Sequence, residues 1–472
     1  MSDVLITADE AVSPTPLRVL AADEAAAWLA AAPPPVQALA AVNGFTAKPG
    51  QLFKVSGPEG QLERTLFVLS AEDAAAPGWG VQAMRALPAM LGPGDYALVQ
   101  APEGFEPTQI ATAFAQGAYR FDRYKAARDG ARARLVAPVG ADLTAARAVA
   151  HACALARDMI NTPANDLGPL QIETIAAEIA ETFGASLSVI TGEGLLAANY
   201  PAVHAVGRAA APHRAPRMIE LTWDGSGSDP SAPTVVLIGK GVVFDTGGLD
   251  IKPSAGMGLM KKDMGGAAHA LALGRMVMAA GLRLKLTVLV PVAENAISGD
   301  AMRPGDVIAS RKGLSIEVGN TDAEGRLILA DALARAAELA PTLTIDLATL
   351  TGAARAALGP QAPPFFTADE ALAAELTAAA EACGDGLWRL PLWRGYAGAV
   401  DSEIADIKND PDGWAQAGSI TAALFLQRFA PPGAWLHLDI YAWNPKGRPG
   451  WPVGGEAQTI RALFGLLQAR YG

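Results

Sequence analysis

The sequence predicts an α/β protein: a small N-terminal α/β domain joined by a helix to a larger C-terminal domain with a mixed, mostly parallel sheet flanked by helices. Three observations carry this prediction. The 472 residues exceed what one hydrophobic core supports, since domains cluster at roughly 100 to 200 residues. Short apolar runs of strand length alternate with longer runs of helical periodicity. Between the two halves, a breaker-free helical pattern runs from Asp142 to Asp158 and stops at Asn161-Thr162-Pro163-Ala164-Asn165. The expected division is residues 1–140, a connecting helix and turn at 141–165, and a C-terminal domain at 166–472.

Within the first part, Leu52 to Val55, Leu66 to Leu69 and Tyr96 to Gln100 read as strands separated by Gly, Pro and Glu turns. Ala21 to Ala31 reads as a helix, and no dense group of chemically active side chains is present, so this part is expected to serve regulation or assembly. After the connector, strands are expected at Ser188 to Ile190, Met218 to Trp223, Val235 to Ile238, Leu286 to Val290 and Leu343 to Leu347. Helices are expected at Leu170 to Thr182, Ala267 to Ala280, Leu327 to Leu339, Ala371 to Ala382 and Ile420 to Phe429. This rhythm belongs to helix-covered sheets, whose ligands gather at loops leaving the carboxyl ends of strands.

Composition narrows the function. With 51% hydrophobic and 18% charged residues the chain is globular, and no run approaches the ~18 apolar residues of a membrane span. The start, Met1 to Leu5 followed by Asp9 and Glu10, lacks a basic segment leading into an apolar one, so a cytoplasmic location is expected. Cys153 and Cys383 are too few for a disulfide framework or thiolate cage and are read as buried thiols. A net charge of -11 disfavours nucleic acid and anionic membrane as partners. The five histidines include no HExxH pair, so a metal here must rest mainly on carboxylates.

Three segments concentrate the chemistry. The strand Val235 to Ile238 leads into Gly239-Lys240-Gly241-Val242-Val243-Phe244-Asp245-Thr246-Gly247-Gly248 and on to Asp250-Ile251-Lys252-Pro253. Next comes Met260-Lys261-Lys262-Asp263-Met264-Gly265-Gly266, a carboxylate ahead of two glycines and a helix. The third is Asn320-Thr321-Asp322-Ala323-Glu324-Gly325-Arg326-Leu327. Ordinary structural roles exist for each: Asp245 opening a turn, Asp263 capping a helix, and Thr321 with Glu324 forming a capping box. A phosphate loop is a further reading of Gly239-Lys240, but the GxxxxGK[ST] pattern is absent. Structural roles do not explain why Asp322, Glu324 and Arg326 alternate in a chain that also carries the Lys240 and Asp245 cluster.

In order and spacing, GKGVVFDTGGLDIKP, MKKDMGGAA and NTDAEGRL resemble the signatures of the leucyl aminopeptidase family, the M17 metallopeptidases. Supporting matches lie at Tyr119 to Lys125, Asn161 to Asn165, Arg303 to Val307 and Asp346 to Ala353, while the first 115 residues resemble the family only loosely. The resemblance implies that Asp245 and Glu324 bridge two divalent ions, with Lys240 and Asp263 completing the tighter site and Asp322 the more exchangeable one. The ions are expected to be Mn²⁺ or Zn²⁺, and Mg²⁺ also suits the oxygen-rich set. Paired metals about 3.5 to 4 Å apart acidify a water and polarise the scissile carbonyl. Lys252 would stabilise the oxyanion, a role worth roughly 3 kcal/mol, and Arg326 would hold a bicarbonate as proton shuttle. Met260, Asn320, Thr349, Leu350 and Gly352 would line the first substrate pocket, which Met260 and Leu350 make apolar or unselective rather than charged. The substrate class implied is peptides with a free N-terminus, and the assembly a homohexamer.

His269 and His437 are expected to be packing residues rather than ligands. The chain departs from the family's more usual pattern at Asp410 to Gly418, at Thr246, which keeps the hydroxyl of a serine, and at Tyr441-Ala442-Trp443-Asn444, where small residues are more usual. Two other readings compete. A two-metal phosphatase or nuclease would use carboxylates and histidines, against which Lys240 speaks; a catalytically silent scaffold of the same fold would not need all five proposed ligands together with Lys252 and Arg326.

Overall fold

The computed structural model describes residues 4–125, 130–411, 414 and 416–472. Contacts divide the chain into two units. The first runs up to Ala154 and takes in the short segments Glu381–Asp385 and Lys446–Val453; the second holds the remaining residues. Helix Leu143–Asn161 begins in one and ends in the other.

The first unit contains β1 (Leu5–Ile6), β2 (Thr15–Ala21), β3 (Leu52–Ser56), β4 (Leu62–Leu69), β5 (Gly94–Gln100) and β6 (Ala133–Val136). They form a sheet ordered β1-β6-β5-β2-β4-β3, parallel throughout except for the β3–β4 pair. Helices Ala22–Ala30 and Pro107–Gly117 match its apolar residues, with Phe53 and Leu66 in one cluster and Tyr96, Phe114 and Leu135 in another. β2 carries no signal of its own in the sequence because Pro16 falls within it; at the strand's second residue, proline costs the ladder little.

The second unit contains β7 (Ser186–Thr191), β8 (Arg217–Asp224), β9 (Thr234–Gly239), β10 (Gly241–Asp245), β11 (Lys285–Asn295), β12 (Val307–Ala309), β13 (Ser315–Glu317), β14 (Leu343–Ala348), β15 (Pro364–Phe366), β16 (Trp388–Arg389), β17 (Ile407–Lys408) and β18 (Ala434–Asp439). Its main sheet is ordered β16-β15-β18-β14-β9-β11-β8-β7, with β10 pairing to β11. The central run β18-β14-β9-β11 is parallel, while β8, β7 and β15 pair antiparallel. Central strands are buried on both faces and read as continuous Val, Ile and Leu, as in Val235 to Ile238 and Leu286 to Val290. Helices Gly265–Ala279 and Gly325–Glu338 cover it, each with most of its residues buried. β18 escapes a hydropathy reading because His437 and Asp439 interrupt its apolar run; both are fully or almost fully buried.

Register brings the carboxyl ends of the parallel strands to one edge: Leu347 of β14 lies opposite Gly239 of β9, and Ala348 opposite Asp439 of β18. Cys153 is buried as expected, whereas Cys383, at the end of helix Glu370–Cys383, is only half-buried. No helix among the described residues is long and apolar enough to cross a membrane.

Candidate active site

Lys240 is the first residue past β9. Its backbone N–H donates to Leu347 O at 3.0 Å, and its carbonyl accepts from Ala267 N at 2.8 Å, so both neighbouring elements fix its position. Its side chain is 3% exposed. The ammonium lies 2.8 Å from Asp263 Oδ2 and 2.9 Å from Glu324 Oε1, and donates to Thr349 O at 3.0 Å. Gly325 makes room for it: a Cβ there would fall 2.5 Å from Lys240 Cε. Glycine is therefore required at this position by close approach rather than by backbone conformation.

Asp245 ends β10 instead of merely opening a turn. Its Oδ1 accepts from Gly247 N at 2.9 Å and from Asn295 Nδ2 at 2.8 Å. Gly247, with φ +87°, supplies the left-handed turn that lets the chain double back. Thr246 uses the hydroxyl that distinguishes its place in the motif, donating to Asn295 O at 2.8 Å. Lys252 Nζ lies 2.8 Å from Asp245 Oδ2 and also contacts Asp322.

The capping roles fail on inspection of the helix ends. Thr321 Oγ1 donates to Gly247 O at 2.6 Å and accepts from Asp250 N at 2.8 Å, stapling two loops together. The cap of helix Gly325–Glu338 is Glu324, whose side chain makes no capping bond, and the cap of helix Gly265–Ala279 is Met264, not Asp263. These carboxylates are turned inward instead.

One carboxylate oxygen from each of Asp245, Asp322 and Glu324 falls within 4.8 Å of the others. Asp263 joins them through Lys240. Four carboxylates against two ammonium groups leave a negative excess in a largely buried space, and the titration behaviour follows. Burial and then Asp245 push Glu324 up to about 8, and the same two causes push Asp322 up to about 6. For Asp263, burial also acts upward, but Lys240 and Lys262 outweigh it and hold the group below the usual range. Lys240 is raised, since the attraction of Asp263, Glu324 and Asp245 exceeds its burial cost. Lys252 is raised likewise by Asp245 and Asp322. Protein charge alone thus keeps Lys240 an ammonium; a dication among the same carboxylates would reverse the sign and favour the neutral amine.

The donor set fits cations. Among the described residues, the buried oxygens Asp263 Oδ2, Asp322 Oδ1 and Glu324 Oε1 are met by the ammonium groups of Lys240 and Lys252 alone, and carboxylate oxygens that already face positive charge, with lone pairs to spare, suit a divalent ion. Arg326 fits an anion on the same ground. It is 6% exposed; Nη1 donates to Asn409 O at 2.5 Å while Nε has no partner. Burial lowers its pKa despite Asp410 and Glu324.

These groups open on a cavity of about 770 Å³. Lys240, Asp245, Lys252, Asp263, Asp322 and Arg326 line it, as do Met260, Asn320, Thr349, Leu350 and Gly352. Glu324 lies behind Lys240. Thr349 is tied to Asp263 through its hydroxyl, 2.8 Å from Oδ1. His269 and His437 lie outside the cavity lining: His269 pairs with Gly265 O and Gln458 N, and His437 with Asp346.

Sequence reasoning missed three buried supports. Asn295 holds Asp245 and also donates to Thr321 O. Asn409 accepts from Gly319 N at 2.8 Å and donates to Asn320 O at 2.7 Å, pinning the loop that carries Asp322 and Glu324. Asp439 accepts from Leu350 N, Thr351 N and the Thr351 hydroxyl. A lone polar residue at a strand end was the signal available for Asn295 and Asp439; Asn409 lies 83 residues from Arg326, and nothing local marks it. The departure at Asp410 to Gly418 is partly beyond view, as residues 412, 413 and 415 lie outside the described residues.

A parallel sheet with acids and lysines at its carboxyl ends, in a chain that also carries a separate N-terminal α/β unit, defines a peptidase of the aminopeptidase class when set beside known proteins. The chain belongs to the cytosol aminopeptidase family: residues 154–464 match the model of its catalytic domain, and residues 15–138 match that of the M17 aminopeptidase N-terminal domain. The N-terminal likeness is thus firmer than the motifs alone suggest. A probable cytosol aminopeptidase of Syntrophotalea carbinolica is 43% identical over 393 residues, 79% of this chain and 78% of that protein. One from Rhizobium etli is 39% identical over 478 residues, 96% of this chain and 95% of its own. The crystal structure of cytosol aminopeptidase from Coxiella burnetii covers 100% of both chains at a TM-score of 0.91 and 40% identity. The bottromycin maturation enzyme BotP, solved in complex with Mn, covers 97% of this chain and 100% of its own at 0.83 and 34%.

Proposed function

We propose that this aminopeptidase hydrolyses the N-terminal residue of peptides by metal-dependent chemistry, with two divalent ions, Mn²⁺ or Zn²⁺ and also Mg²⁺, held by the carboxylate cluster. The observation that carries this is the convergence of Asp245, Asp322 and Glu324 on one point, with Asp263 and Lys240 beside it. Asp245 and Glu324 would serve both ions, Lys240 and Asp263 the more tightly held one, and Asp322 the more exchangeable one. Bound there, such ions lower the pKa of water and polarise a carbonyl.

The protein's own groups supply the rest. Lys252, half-buried at the cavity wall, would donate to the oxyanion that develops at the scissile carbonyl. Arg326, with Nε unpaired, is the group that would hold bicarbonate, which supplies a base to the site. Met260, Asn320, Thr349, Leu350 and Gly352 form walls for the first side chain. A free α-amine would be the substrate's own ligand to this metal site, and an internal peptide bond has none to offer, so the activity is that of an exopeptidase. Residues 1–140 act in assembly or regulation, 141–165 connect, and 166–472 carry catalysis. The protein works in the cytoplasm, and the assembly is a homohexamer.

Hydrolysis of leucine p-nitroanilide and of its N-acetyl analogue, after chelation and after return of Mn²⁺ or Zn²⁺, tests the reading. Metal-restored cleavage of the free-amine substrate alone is expected. Cleavage of both substrates, or of neither across a panel of N-terminal residues, would overturn it.

A further inference from the structure

The cavity wall carries two cations that the chemistry above does not use. Lys262 follows Met260 in the turn before helix Gly265–Ala279 and is 6% exposed. Its ammonium lies 4.8 Å from the centroid of the Tyr441 ring and makes no hydrogen bond or ion pair among the described residues. Arg355 stands on helix Gly352–Leu358 at the open side of the cavity. Its guanidinium carbon is 5.1 Å from the same ring centroid, and Nη1 donates to Tyr441 Oη at 3.2 Å. Tyr441 stands where the family more usually has a small residue, and it touches both cations.

Asp263 and Asp439 act on Lys262 through space, but no carboxylate of this cavity makes an ion-pair contact with Lys262 or Arg355 among the described residues. Asp439 is engaged by Leu350, Thr351 and Ser419. Asp245, Asp263 and Asp322 are paired with Lys240 and Lys252. Asp410, the remaining acid of the lining, makes no ion pair with Lys262 or Arg355 and sits in the field of Arg326. A ring face attracts a cation but does not replace an anion. Arginine offers a planar fork matched to a carboxylate, and a lysine nitrogen donates a hydrogen bond whether charged or neutral.

We propose that Lys262 and Arg355, held by Tyr441, form a carboxylate-binding subsite that gives this enzyme a preference for negatively charged substrates. On this proposal the apolar or unselective pocket expected from Met260 and Leu350 also carries two donors, since Lys262 and Arg355 line the same cavity. The proposal rests on the aminopeptidase reading. The carboxylate has two sources, the side chain of an N-terminal Asp or Glu and the C-terminus of a dipeptide, and the same experiment separates them.

Full-length protein loaded with Mn²⁺ is assayed on glutamyl and leucyl p-nitroanilide, which differ in the side chain, and on Leu-Gly and its C-terminal amide, which differ in the terminus. Arg355→Met and Lys262→Met are each expected to lower kcat/KM about tenfold or more on the carboxylate-bearing member of one pair, the loss of one charge-assisted hydrogen bond. The neutral member should change by less than about threefold. The pair that responds identifies the source. Equal effects on charged and neutral members of both pairs would overturn the subsite. If wild-type protein fails to cleave leucyl p-nitroanilide, it is the aminopeptidase reading that has failed. Calorimetric binding of L-glutamate against L-glutamine, and of Leu-Gly against its amide, then decides the subsite without turnover: weaker binding of a charged member in Arg355→Met upholds it, and unchanged binding of both rejects it.

Discussion

At the scale of single residues, the site is an arrangement of charges that protein groups alone do not balance. Lys240 and Lys252 each touch two carboxylates, so two ammonium groups are shared among four acids. Two kinds of side chain are therefore separable by substitution. Asp263→Ala removes a proposed ligand, and the metal content of the purified protein, measured by mass spectrometry, should fall. Lys252→Ala and Arg326→Ala should keep their metal and lose turnover, about a hundredfold for Lys252 if it contributes the roughly 3 kcal/mol typical of an oxyanion donor. Equal metal loss in all three would refute the division of roles. Gly325→Ala is a sharper test of packing. The added methyl would fall 2.6 Å from Lys240 Nζ, so the lysine must move, and overpacking of this kind costs about 1 to 3 kcal/mol. Weaker metal binding with a lower melting temperature is expected, and wild-type metal affinity in this variant would show that Lys240 is not a ligand. The residue types and spacing of NTDAEGRL and GKGVVFDTGG were legible in the sequence because such motifs are local. The partners of Arg326 and Asp439 were not, because they come from loops distant in the chain.

At the scale of elements, the strands decide where this chemistry sits. β9, β14 and β18 end at one edge, and Lys240, Thr349 and Asp439 are the last residues of these strands or the first beyond them. Hydropathy marked β9 and β14 correctly because both faces are covered. It passed over β18 because His437 and Asp439 make its pattern polar; in the fold, His437 Nδ1 lies 2.5 Å from Asp346 Oδ1, and Trp435 Nε1 donates to Asp346 Oδ2 at 2.7 Å. The capping box at Thr321 was a local pattern overruled by tertiary hydrogen bonds to the Gly247–Asp250 loop. The His437–Asp346 pair yields a pH prediction. Burial and Arg326 act to lower the histidine, but Asp346 outweighs them and the pKa is raised above its ordinary 6.5. The folded state therefore binds the proton more tightly than the unfolded state. The pair's contribution is fully present below about pH 6.5 and is lost as pH rises through the higher folded value. Urea unfolding from pH 6 to 9 should show wild-type stability falling more steeply than that of Asp346→Asn, in which the raising charge is gone. Parallel slopes would mean that the imidazole is neutral throughout.

At the scale of the whole molecule, the outline of two α/β parts and a connecting helix was legible because chain length and the alternation of elements are global properties. The exchange of short segments was not. Glu381–Asp385 and Lys446–Val453 belong by contact to the first unit although they lie late in the chain, and no local pattern announces such returns. The second unit brings a negatively charged cluster into a buried position, and this has a consequence for stability as well as for catalysis. Ions that bind the folded state alone stabilise it by mass action, about 2.7 kcal/mol at a hundred times the dissociation constant. Binding also removes the repulsion that drives Glu324 and Asp322 upward. Chelation should therefore lower the apparent melting temperature by several degrees, and return of Mn²⁺ or Zn²⁺ should restore it. The restoration should weaken as pH falls from about 8 through about 6, where Glu324 and then Asp322 take up a proton in the ion-free protein and compete with the metal. Scanning calorimetry of chelated and reloaded protein between pH 5 and 8 measures this directly. Asp263→Ala provides the contrast, since a variant that lacks a ligand should show a smaller metal-dependent shift at every pH. An equal shift in wild type and variant would place the stabilising ion somewhere other than this cluster.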